Sequence, residues 1–107
     1  MFENKKENLD FNNKKQKVYL ASGWFNPTQE KELTHLENLC NSREKWVDLV
    51  SPRKVFICPP NASQEVQDET FLGNLHHIET SDFLIVNTRD KDIGTIWEAG
   101  YAYSFNK

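Results

Sequence analysis

The chain is predicted to fold as an α/β domain, a parallel β-sheet covered by helices, and three observations predict it. Short apolar runs alternate with helical stretches in the order β-α-β-α-β-α, the pattern of parallel sheets with right-handed crossovers. The run Phe83-Leu84-Ile85-Val86 is unbroken, as expected of a strand buried on both faces. Each run ends in turn-forming residues, at Gly23, Pro59-Pro60 and Thr88 onward, so the following loops collect at one sheet edge. A length of 107 residues suits a single core, and 37% hydrophobic with 27% charged residues reads as a soluble globular composition.

Residues 1–16 are rich in Asn, Lys and Glu and read as a disordered leader; the domain is expected over residues 17–107. Lys17 to Ser22 reads as the first strand, closed by Gly23. Asn26 can cap the first helix, with Pro27 at its first position and Gln29 at capping-box spacing. Leu33, Leu36, Leu39 and Cys40 recur on one face of that helix. Val55-Phe56-Ile57-Cys58 reads as the second strand. A helix follows from Gln64 to Glu79, with Phe71, Leu72, Leu75 and Ile78 as its core stripe. Asp82 to Asn87 is the third strand and Thr95 to Phe105 the third helix. The result is a three-layer, flavodoxin- or Rossmann-like arrangement lacking its last strands, since a further strand would be expected after Lys107. In such folds ligands bind beyond the carboxyl ends of the strands, which directs attention to residues 23–29, 59–64 and 88–98.

Several function classes are excluded. A net charge of −3, with no cluster of Lys or Arg on one element, argues against a nucleic-acid partner. No apolar run reaches the ~18–20 residues needed to span a bilayer, and no signal-peptide pattern opens the chain. Cys40 and Cys58 fit neither a metal site nor a disulfide framework and read as buried thiols in a reducing, cytoplasmic setting. His76-His77 lacks a third ligand at convincing spacing and reads as a surface pair, so no metal is expected. Asn61-Ala62-Ser63 would matter as a glycosylation acceptor only in a secreted protein.

Two segments can carry chemistry. In Asp92-Ile93-Gly94-Thr95-Ile96-Trp97-Glu98, Glu98 is expected in a first helical turn, where the helix dipole favours a carboxylate. The competing reading makes Thr95-x-x-Glu98 a capping box, with Glu98 returning a hydrogen bond to the helix start. Gly94 reads as a turn glycine. In Tyr19-Leu20-Ala21-Ser22-Gly23-Trp24-Phe25, the two aromatics can stack on a planar ligand or simply pack. Tyr19 is either core or an orienting hydroxyl.

Taken together, Tyr-x-Ala-x-Gly-Trp-Phe and Asp-x-Gly-Thr-x-x-Glu-x-Gly-Tyr-Ala resemble the nucleoside 2-deoxyribosyltransferase family over residues 17–107, with residues 41–66 hard to align. The resemblance implies an enzyme that moves 2-deoxyribose between nucleobases. Glu98 matches the nucleophile, forming a glycosyl ester with overall retention. Tyr19 matches the tyrosine that orients it, and Asp92 the acid that holds the base or sugar and manages protons. Phe25 matches the base-packing aromatic, with Trp24 beside it, and Gly23 and Gly94 match glycines near the ligand. Related nucleotide hydrolases carry a phosphate-binding loop where Trp24-Phe25-Asn26-Pro27 stands here.

Two departures accompany the resemblance. Asn74 stands where the family has an aspartate proposed to protonate the departing base, and asparagine offers no titrating proton. The resemblance also implies a C-terminal part, contributing to a neighbour's site, that would be expected beyond Lys107. A nucleoside or nucleotide hydrolase, and a non-catalytic nucleoside-binding domain, therefore stay open as alternatives. The ester route needs no metal or organic cofactor. The expected partners are nucleoside and nucleobase, plus a second copy of the chain against the apolar edge of a thin sheet.

Overall fold

A computed structural model describes residues 15–55 and 58–107. Strand β1 (Gln16–Ser22) leads into helix α1 (Pro27–Asn41), strand β2 (Val47–Val50) and the short helix α2 (Pro52–Val55). Helix α3 (Gln64–Glu79), strand β3 (Phe83–Asn87), a 3₁₀ turn (Arg89–Lys91) and helix α4 (Ile93–Tyr103) complete the chain. The sheet is parallel with order β2-β1-β3. Tyr19 pairs with Val50 on one side and with Leu84 on the other. This is the expected α/β class. Residues 1–14 of the expected leader lie outside the described residues, and Gln16 already belongs to β1.

Three expectations are corrected. The second strand is Val47–Val50. Val55 instead ends α2 and Cys58 has no regular structure, while Phe56 and Ile57 lie outside the described residues. β2 is an edge strand with Asp48 exposed, so its short run is broken by a charge and carries little periodic signal. The doubly buried strand is β1, with Val18 to Ala21 at 5% exposure or less, whereas β3 forms the other edge and Phe83 is 55% exposed. On α3 only Ile78 of the expected stripe is fully buried; Phe71 and Leu72 are exposed.

Strand alternation divides the core. Tyr19 and Ala21 face α3 and α4, where they cluster with Ile78 and Ala102. Val18, Leu20 and Ser22 turn the other way, toward α1, whose Leu33 and Cys40 are buried. Cys58, by contrast, is exposed, against expectation. One charged group is buried on the α1 side. Glu37 accepts hydrogen bonds from Ser51 Oγ at 2.5 Å and Arg53 Nε at 3.0 Å, and pairs with Arg53 Nη2 at 2.5 Å. Burial alone would raise the Glu37 carboxyl, but the bonds from Arg53 and Ser51 outweigh it and hold it below its ordinary value. This network ties α1 to α2 and to the end of β2.

Candidate active site

The chain runs from β1 outward to β2, then returns past β1 to β3. The loops after β1 and β3 therefore leave adjacent strands toward helices on opposite faces, which opens a crevice at their carboxyl ends. The loop Gly23-Trp24-Phe25 of the first motif and Asp92 of the second follow these two strand ends.

Asp92 begins the construction of the site. Its Oδ2 accepts from Thr95 N at 2.9 Å and from Thr95 Oγ1 at 3.0 Å, so Asp92 is the N-cap of α4. The helix consequently starts at Ile93, two residues before the expected start, and Glu98 falls in its second turn. The capping-box reading of Thr95 and Glu98 is thereby excluded. Thr95, Glu98 and Ala102 form one stripe of α4 at helical spacing. Thr95 and Ala102 are buried against the sheet. Glu98 is carried between them over β1.

There the hydroxyl of Tyr19, itself fully buried, donates to Glu98 Oε2 at 2.9 Å. Burial holds the Glu98 carboxyl above the usual carboxylate range; the Tyr19 bond pulls it back, and the negative charge of Asp92 adds to the rise. The dipole expectation is corrected accordingly: desolvation, not the helix start, dominates at this position. Burial, together with the Glu98 charge and hydrogen bond, drives the Tyr19 phenol far up, so it remains a proton donor.

The other candidate residues lie on the loop after β1, in the first turn of α4 and on α3. Trp24 and Phe25 stack at 5.6 Å and 19° on the loop after β1, with Phe25 73% exposed. That places a flat apolar surface in solvent instead of in the core. Gly94 lies in the first turn of α4, where a Cβ would meet Asp92 Oδ2 at 3.4 Å. Asn74 occupies α3 one turn before Ile78, which packs with Tyr19. Its Oδ1 is shielded from solvent and has no hydrogen-bond partner. Gly23 has an ordinary backbone, and the room it leaves is taken by the side chain of Gln29.

Sequence reasoning missed a polar belt on the α1 side. Asn87 Nδ2 donates to Ser22 Oγ at 3.3 Å and to Glu32 Oε1 at 3.2 Å, while Arg89 Nε donates to both Glu32 oxygens at 3.1 and 3.0 Å. Glu32 is held below its ordinary value by the bonds from Arg89 and then Asn87. The belt borders an open groove of about 750 Å³ lined by Pro27, Lys31, Glu32, His35 and Asn87 among others. That groove lies across the sheet from Glu98. The polar triplet Asn87-Thr88-Arg89 after an apolar strand was the available signal. His76 and His77 have ring centroids 5.9 Å apart, and among the described residues no group of three or more His, Cys, Asp or Glu could hold a metal. Nor is any described helix long and apolar enough to cross a membrane.

Comparison with known proteins follows the same lines. A family model described as nucleoside 2-deoxyribosyltransferase matches residues 18–107. Among solved structures, the chain is similar to the 2-deoxyribosyltransferase of the psychrotolerant bacterium Bacillus psychrosaccharolyticus. Identity is 32% and the TM-score 0.72, with 85% of this chain and 67% of that one covered. No curated protein matches at a significant level. The matched span runs from the middle of β1 to the last residue and takes in both motifs and the Tyr19–Glu98 pair, so the chain belongs to the nucleoside 2-deoxyribosyltransferase family.

Proposed function

We propose that this chain transfers 2-deoxyribose between nucleobases through a covalent ester on Glu98, with retention at the anomeric carbon. The observation that carries the reading is the buried hydrogen bond from Tyr19 to Glu98 Oε2. It fixes one carboxylate oxygen and leaves the other to act as nucleophile. In the first step Glu98 Oε1 attacks C1′, the C1′–N bond breaks, and the base departs with the bonding pair and takes up a proton. In the second step a nitrogen of an incoming base attacks C1′, releases the Glu98 carboxylate and gives up its proton to solvent, which balances the proton that the departing base takes from solvent, and two inversions give retention.

The exposed Trp24–Phe25 surface supports stacking of the base. The unpartnered Asn74 carbonyl supports a hydrogen bond from a base or its protonated form, although asparagine itself supplies no proton. Asp92 caps α4 through Oδ2 and acts on Glu98 through its charge; Gly94 stands beside it in the first turn of α4. The solved relative is described as a biocatalyst for the synthesis of antiviral and antitumoral nucleosides, which supports a nucleoside product for this chain. Self-association against the open edge of β3 belongs to the same reading, and sedimentation velocity at rising concentration tests it.

The direct experiment is incubation with deoxyinosine and adenine, followed by chromatography. Deoxyadenosine and hypoxanthine are expected. Free deoxyribose as the sole sugar product would make the chain a hydrolase, and saturable binding without base release would make it a binding domain. Glu98→Ala is expected to lower turnover by a factor on the order of a thousand or more. Transfer that survives this change removes Glu98 as nucleophile.

A further inference from the structure

We infer that Gln29 is a positioning residue that clasps the two loops of the active site to each other, an assignment that rests on the Glu98 reading above. Gln29 is only 3% exposed, unusual for an amide in the first turn of a surface helix. Both ends of its amide are engaged. Oε1 accepts from Phe25 N at 2.8 Å, on the loop after β1, and Nε2 donates to Arg89 O at 3.2 Å, on the turn after β3. In a capping box the side chain would return to the N-cap N–H. Here it reaches one residue further back and also crosses to the neighbouring loop.

Two features show that the fold is built around this amide. A Cβ at position 23 would stand 2.9 Å from Gln29 Nε2 and 3.0 Å from Oε1, so Gly23 is the residue type that admits it. The turn it grips is strained: Asp90 and Lys91 both have left-handed backbones, with φ of 63° and 50°, costing roughly 1 kcal/mol or more each in non-glycine residues. That turn needs outside restraint, and α1 supplies it from positions 26, 29 and 32, one stripe at helical spacing. Asn26 Nδ2 donates to Asp90 Oδ2 at 3.0 Å, Gln29 holds Arg89 O, and Glu32 holds the Arg89 guanidinium. Gln29 is the buried member and the one that also holds Phe25. Directly after the turn comes Asp92, which sets the start of α4 and therefore the station of Glu98.

The test uses the full chain carrying Trp46→Phe and Trp97→Phe, so that Trp24 alone reports. Gln29→Met keeps length and burial and removes both hydrogen bonds. Iodide quenching of Trp24 is expected to rise about twofold as the loop loosens, and KM for deoxynucleoside to rise about tenfold with a smaller change in kcat. Gly23→Ala, which leaves Gln29 in place but crowds its amide, is expected to move both readouts the same way and serves if Gln29→Met does not fold. A variant with lowered Tm but native quenching and native KM would reduce Gln29 to a structural residue and overturn the assignment. Altered quenching in the variant, with no base exchange by the parent chain, would leave the clasp standing and remove the Glu98 reading instead.

Discussion

At the scale of single residues, the site is a balance of three effects on one carboxyl. Burial and Asp92 raise Glu98 while Tyr19 lowers it, and a nucleophile must be ionised. The acidic limb of the pH profile of kcat/KM is therefore expected above the ordinary carboxylate value. Tyr19→Phe removes the lowering contribution, so it should move that limb further up and reduce kcat/KM by about tenfold, the worth of one hydrogen bond to a charged group. An unmoved limb would mean that the phenol does not act on Glu98. The sign for stability is the reverse. A carboxyl whose folded value is raised stabilises the fold fully below its unfolded value, 4.5, and loses that contribution as pH climbs through the folded value. Near neutrality Glu98→Gln should consequently raise Tm while abolishing transfer, which paired melting and turnover measurements check.

At the scale of elements, the cap of α4 separates charge from structure. Asp92→Ala loses both the cap and the charge and should cost about 1 kcal/mol of stability in denaturant titrations. Asp92→Asn keeps an acceptor for Thr95 N and loses the charge alone, so its acidic limb should fall at nearly native stability. An unchanged limb in Asp92→Asn would show that Asp92 is a cap and nothing more. Elements with strong local signals were legible in the sequence. α1 begins where Asn26-Pro27 marks it, and α3 runs from Gln64 to Glu79 as read. β2 and the start of α4 were not legible. β2 is a charged four-residue edge, and Asp92 competed with Thr95 for a cap that only the turn conformation decides. Motif residues Tyr19 and Glu98 were readable, 79 positions apart in sequence. The clasp through Gln29 was not, because its partners are backbone groups on separate loops.

At the scale of the whole molecule, acid stability is set by carboxyls of opposite habit. Glu37 and Glu32 sit below their ordinary values. Their contribution is present above the unfolded value and lost as pH falls through the folded one. Glu98 gains in the same direction of pH change. Glu37 is the buried one of the two lowered carboxyls, so its contribution to Tm should be lost below pH 4.5; Arg53→Met, which strands it, should lower Tm near neutrality and flatten that acid decline. A row of aromatics, Phe71, Trp97, Tyr101 and Phe105, runs along α3 and α4 with ring spacings of 5.8, 5.2 and 5.1 Å. Phe71 and Trp97 are each about half exposed. This outward face explains why an apolar stripe in α3 did not predict burial: Phe71 packs on Trp97 at the surface, not on the sheet.

The central place of β1 also bears on how the protein is made. Val18 meets its β3 neighbour, Phe83, only across a separation of 65 positions of chain. During synthesis the most buried of the three strands emerges before β2 and β3 and must wait for both before its flanks are satisfied. Nascent chains halted before β3 should thus be caught by chaperones or clump together, and the finished polypeptide should refold slowly for its size.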